Sequence, residues 1–133
     1  MSAQLKHLRV VTNRSHGEAL KEEYQNWKRL QIARRTGFFP VWNSFKKYLQ
    51  CDQLSGGALR LYMFLGLAAK NNTGESWHSV ERMSEELGCS QRSVVQWAKE
   101  LKDKGLIERQ QLRTNGYAFT YLRPYPNEDG DIR

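Results

Sequence analysis

Apolar positions along this chain recur at helical spacing, then switch to alternation near the C-terminus. The clearest run is Ser79 to Leu112. Val80, Met83 and Leu87 recur three and four residues apart, which predicts a short helix with one apolar face. Ser79 precedes it as an N-cap, and Gly88 ends it where a left-handed backbone is expected. Cys89 is a small turn residue, and Ser90 caps a second helix with Val94, Ala98 and Leu101 inward and Trp97 at the edge. Gly105 closes that helix, and Leu106-Ile107 return to the core. Two alternating runs then flank Asn115-Gly116, a strong hairpin signal, because both central residues of the turn need positive φ. A two-residue turn there pairs Thr114 with Tyr117, Leu112 with Phe119 and Gln110 with Tyr121.

Upstream, GALRLYMFLGLAAK is apolar nearly all round, which predicts a central buried helix. Ser55 caps it, and Leu54 with Leu59 staples its start. Asn71 to Gly74 reads as a loop, after which Trp77 is expected to plug the core. Phe38 to Trp42 is short and broken by Pro40, so it reads as an extended edge segment anchoring aromatics. Asn43 or Ser44 then caps a short helix with Phe45 and Leu49 inward and Lys46-Lys47 outward. The aromatic cluster here reads as core rather than as a base-stacking platform.

The N-terminal part differs. Residues 1–16 show no period and read as a basic arm. A helix is expected over 17–36, with Leu20, Tyr24, Trp27 and Leu30 on one stripe. That stripe needs a cover: the chain's own core, or a second copy in a homodimer. A DNA contact is the weaker third option, because exposed Tyr24 and Trp27 are costly. Residues 126–133 form a short acidic tail, expected to be disordered.

Charge sharpens this division. The 133 residues carry a net +7. Residues 1–50 hold ten Lys or Arg and three Glu, whereas residues 51–133 hold eleven of each sign. The basic excess therefore lies upstream and favours nucleic acid or an anionic surface.

Helix, turn, helix and hairpin in this order form the grammar of a winged helix-turn-helix. From about Phe39 to Pro124 the chain resembles the winged-helix domains of bacterial plasmid and phage regulators and replication initiators. LSGGALRLYMFL, TGESWHSVERMSEELG, CSQRSVVQWAKELKDKGLIER and TYLRP carry the resemblance. It covers roughly two-thirds of the chain and departs from the pattern at Trp97, where relatives carry a smaller residue. The expected fold is α+β and mainly helical, a winged helix-turn-helix over 37–125 with a C-terminal β-hairpin wing and an added N-terminal helix.

Double-stranded DNA is the partner this grammar implies. Gln91, Arg92, Ser93, Val95, Gln96 and Lys99 are left on the outside of the second helix. Arg can bond guanine bidentately, Gln adenine, Lys a phosphate, and Val can touch a thymine methyl. The bland alternative is a solvated polar face. Arg113 near the hairpin tip and Arg109 further down are expected to reach the DNA backbone or minor groove. Ser79 and Ser90, at helix N-termini, are candidates for phosphate contact.

Other classes find little support. His7, His16 and His78 are scattered, no triad or metal set is recognisable, and the glycines match no phosphate loop. No enzyme activity, cofactor or metal is expected. Cys51 and Cys89 lie in no CxxC, and no long apolar or secretory segment is evident, which fits reduced thiols in a cytoplasm. The rival reading is a protein-interaction module within a nucleoprotein complex, favoured by the neutral balance of residues 51–133.

Overall fold

The computed structural model describes residues 13–111 and 118–130. The chain separates into two units, residues 1–37 and 38–133.

Among the described residues, the first unit holds one long helix, α1 (Asn13–Ala33). It begins four residues before the expected start and ends three residues before the expected end. Arg35 takes φ 53, and the Thr36 N–H donates to the Gln31 carbonyl at 3.1 Å. This wraps the helix end in a left-handed turn at a residue that is not glycine. Leu20, Tyr24, Trp27 and Leu30 are exposed, with the Tyr24 and Trp27 rings 5.7 Å apart.

The second unit is built round α2 (Gly56–Ala68), with α3 (Val80–Leu87) and α4 (Gln91–Asp103) following β1 (Glu75–Ser76). Strands β2 (Ile107–Gln111) and β3 (Ala118–Leu122) complete an antiparallel sheet of order β1-β3-β2. This is a winged helix-turn-helix, mainly helical with a small sheet. Its core gathers Leu54, Ala58, Leu61, Leu65, Met83, Val94, Leu101, Leu106 and Ile107. Ala58, Leu61, Leu65, Met83, Val94 and Leu101 are inward positions of the helical stripes, so their burial follows the periodicity of the sequence, while Leu54, Leu106 and Ile107 flank the helices.

Local caps set the helix boundaries. Ser55, Ser79 and Ser90 each accept the N–H three residues on, from Ala58, Arg82 and Ser93. Gly88 (φ 65) and Gly105 (φ 73) supply the left-handed residues that stop α3 and α4.

Several expectations are corrected. The short helix over Asn43–Leu49 is 3₁₀, and its cap position is Trp42. Its repeat of three turns Phe45 and Tyr48 inward, and Leu49 is left 56% exposed. Phe45, Tyr48, Tyr62 and Tyr125 pack together as core aromatics, with Phe45 and Tyr62 stacked at 4.8 Å. Of the preceding segment only Phe39 joins them, against Tyr62, while Phe38, Val41 and Trp42 are exposed. Helix α2 is central but not buried all round: Met63 and Leu67 form an outer stripe.

Trp77 does not plug the core. Its position follows β1, where alternation buries Ser76 and turns Trp77 out, 43% exposed. There it meets Phe119 at 6.0 Å, and Lys70 Nζ lies 4.5 Å from its ring centroid. The hairpin register also differs from expectation. Gln110 pairs with Phe119, not Tyr121, and Ile107 pairs with Leu122. The shift of two residues preserves which face each side chain takes. Core pairing at the base sets the register, reinforced by the Arg123 N–H to the Leu106 carbonyl at 2.9 Å. The expected turn at Asn115-Gly116 lies outside the described residues.

Candidate nucleic-acid interface

Helix α4 presents the candidate surface. Its buried side is Val94 and Leu101, with Ala98 partly buried. At 3.6 residues per turn, Arg92, Val95, Gln96 and Lys99 fall together on the opposite side, and all four are exposed. Gln91 is exposed in the first turn. Among the described residues Arg92 and Lys99 have no ion pair, so both cations are free to meet an incoming anion.

Ser93 separates from this group. It is half-buried on the flank shared with Trp97 and Glu100, and its Oγ accepts from the Ser90 hydroxyl at 2.9 Å. Ser90 Oγ also accepts the Ser93 N–H at 3.1 Å. Ser79 Oγ accepts the Arg82 N–H at 3.0 Å, and its own O–H remains a donor at the exposed start of α3.

The flank of α4 fixes how the helix is held. Trp97 lies against the first turn of α2, where a Cβ on Gly57 would overlap the indole. The bulky Trp97 is thus accommodated by a glycine forty residues earlier. One turn on, the Glu100 carboxylate accepts the Ser55 N–H at 2.9 Å and the Ser55 hydroxyl at 2.7 Å. A carboxylate at the positive N-terminal end of α2 is favourably placed, and two bonds from one cap residue orient it. Gly57 and Glu100 were missed as positioning residues from sequence, since no spacing rule links them to their partners.

The wing is described only at its base. Arg113 lies outside the described residues. Arg109 does not project to solvent as a free cation. It sits on the inward face of β2 with Ile107, and its Nη1 donates to Thr120 Oγ1 at 2.7 Å and to the His78 carbonyl at 3.4 Å. Burial lowers its pKa from the ordinary arginine value. The opposite face of the sheet carries an aromatic row, Trp77, Phe119 and Tyr121, with the last two stacked at 6.4 Å.

Among the described residues no group of His, Cys, Asp and Glu could hold a metal ion, and no helix is long and apolar enough to cross a membrane. Cys51 and Cys89 are both free thiols.

Residues 52–107 match the family described as a helix-turn-helix domain, a span running from four residues before α2 through α4 to the first residue of β2. No curated protein sequence matches the chain. Two similar solved structures are "Structure of Rep-DNA complex" and "N-Terminal domain of DNA binding protein". The first is 19% identical, covers 75% of this chain and 85% of its own, and has a TM-score of 0.53. The second is also 19% identical, covers 77% and 86% respectively, and has a TM-score of 0.54. Both share the fold.

Proposed function

We propose that this protein binds a specific double-stranded DNA site through α4, in the regulation, replication or maintenance of a plasmid or other mobile element. The observation carrying this reading is the exposed face of Arg92, Val95, Gln96 and Lys99 on the second helix of the motif, its cations unpaired among the described residues. Those side chains suit base edges and phosphates, whereas the helix is held entirely by its other sides. Two structures of the same fold, a Rep–DNA complex and the N-terminal domain of a DNA-binding protein, support the same reading. The protein acts as a binder rather than a catalyst.

The test is a salt-titrated binding assay with a pool of genomic fragments and random duplex. Arg92→Ala and Gln96→Ala should each lose about 1–3 kcal/mol at the enriched site and relax its specificity. Lys99→Ala should weaken all sequences alike and flatten the salt dependence. Unchanged affinity and specificity in both of the first two variants would reject the orientation.

A second reading is a protein-interaction module in a nucleoprotein complex. The observation favouring it is a cleft of about 270 Å³ lined by Val41, Trp42, Leu49 and Met63, away from α4. Competition by bulk non-specific DNA separates the two readings, because a protein partner held in that cleft would stay bound. Homodimerisation rests on the exposed Leu20, Tyr24 and Trp27 stripe of α1. Sedimentation of Trp27→Ala beside wild type tests it, with conversion of a dimer to monomer as the expected result.

A further inference from the structure

The 3₁₀ segment over Asn43–Leu49 does more than bury Phe45 and Tyr48. Its repeat of three lines up Asn43, Lys46 and Leu49 on a second face, and all three line the cleft beside α2. Met63 lines it from α2, where it belongs to an outer stripe of Arg60, Met63 and Leu67, all exposed at spacings of three and four. Val41 and Trp42 complete the walls, and the stacked Phe45 and Tyr62 form the floor.

Leaving this surface in water is unfavourable. Trp42 is 66% exposed, and Val41, Leu49 and Met63 are exposed in the same cleft. Large apolar side chains gathered round one cleft mark an interaction surface, whereas single ones scattered over a protein do not. The fold does not need the Trp42 ring there. Its segment is tied down through the backbone, where the Trp42 N–H donates to the Tyr125 hydroxyl at 3.0 Å.

Charge selects the occupant. No aspartate or glutamate lines the cleft, whereas the cation Lys46 does. Arg60 stands one turn before Met63 on the outer stripe of α2. Among the described residues neither cation has an ion pair. An apolar floor beside unpaired cations suits a segment that brings large apolar side chains and carboxylates together. Two of the walls are helices, whose backbone groups bond internally, so they offer no sheet edge to a partner strand. A helix laid in the groove meets both demands, with apolar residues at spacings of three and four and acidic residues at their flanks.

A second copy of this chain does not supply that chemistry. Its own cleft repeats the same cations, and the Leu20–Tyr24 face of its α1 is flanked by Lys21 and Lys28. The acidic residues 126–133 carry one large aliphatic side chain, Ile132, too little apolar surface for the cleft.

We infer that this cleft docks an acidic amphipathic helix of a partner protein, with Trp42, Leu49 and Met63 as apolar anchors and Lys46 and Arg60 selecting its charge. This rests on the interaction-module reading of the cleft and names its partner. It does not depend on α4 reading DNA, because no residue lining the cleft comes from α4.

The experiment pans a displayed library of random peptides, each about four helical turns long, on full-length wild type, Trp42→Ala and Met63→Glu. Both variants change exposed side chains, and circular dichroism checks their folding. Wild type should enrich peptides of net negative charge with Leu, Phe or Trp at helical spacing, and neither variant should enrich them. The tightest peptide should bind Trp42→Ala about thirtyfold more weakly by fluorescence anisotropy. Lys46→Glu and Arg60→Glu should each weaken it about fivefold at low salt, a difference that high salt erases. Arg92→Ala should bind it as wild type does.

Enrichment of neutral or basic peptides that Trp42→Ala abolishes would overturn the acidic partner and keep the module reading. Equal enrichment on Met63→Glu, or none on folded wild type, would overturn the cleft as the docking site. A dimer that Trp42→Ala converts to monomer in sedimentation would give the cleft to a second copy instead. Binding to phosphatidylglycerol vesicles that Trp42→Ala abolishes, without peptide enrichment, would give it to an anionic lipid surface. Wild type that reads duplex but enriches no acidic peptide loses this inference alone. Wild type that enriches acidic peptides but binds no duplex keeps it, and the DNA reading falls.

Discussion

At Gly57 a hydrogen atom stands where any other residue would drive a carbon into the Trp97 ring. Alanine is the better helix former, yet Gly57→Ala should destabilise by about 1–3 kcal/mol through overpacking. Thermal denaturation beside Trp97→Ala and the double variant measures it, and the double variant should recover much of the loss. Tyr62 offers a pH test. Burial raises its pKa above the ordinary tyrosine value, with Tyr125 and Tyr48 adding to the rise. The folded state thus favours the neutral phenol. Its contribution is fully present below about pH 10, the unfolded tyrosine value, and declines as pH climbs toward the folded one. Alkaline denaturation should therefore begin above about pH 10, and Tyr62→Phe should shift it upward. An unchanged alkaline limb in Tyr62→Phe would assign the transition to other groups.

Between elements, the bond from Ser55 to Glu100 joins α2 to α4 across forty-five residues of sequence. Glu100→Gln should cost about 1 kcal/mol and Ser55→Ala a similar amount, read as lowered denaturation midpoints. Because the two changes share one contact, their effects should fall short of additive. The serine caps at Ser55, Ser79 and Ser90, the stop at Gly88 and the inward stripes were all legible in the sequence, because each is settled within a turn or two. Three features were not. The 3₁₀ repeat over Asn43–Leu49 is imposed by the aromatic cluster that Phe45 and Tyr48 join. Strand β1 is two residues long and exists only through pairing with β3. The hairpin register is set where Ile107 meets Leu122, not by the turn signal. That two-residue difference hid the Arg109–Thr120 contact, and with it the distinction between a free wing cation and one built into the sheet.

Over the whole molecule, charge and fold are divided between different parts of the chain. All residues of the core cluster lie in the 38–133 unit, whereas the basic excess lies in residues 1–50. Removing residues 1–37 should leave the helix-turn-helix folded. Random-duplex affinity should fall and its salt slope flatten, while preference for the enriched site persists. A truncated chain that folds but loses that preference would place specificity in the N-terminal part. The seating of α4 carries a separate consequence. Trp97 and Glu100 fasten this helix from its flank, and Val94 and Leu101 from beneath, so none of these anchors lies among Arg92, Val95, Gln96 and Lys99. The lettering of the surface can change without touching its hinge pins. Drift at those four positions is consequently cheap for folding, and a lineage could acquire a new target by substitution there alone. A library randomised at Arg92, Val95 and Gln96 should yield mostly folded proteins, whose preferred sites diverge while their melting temperatures stay together.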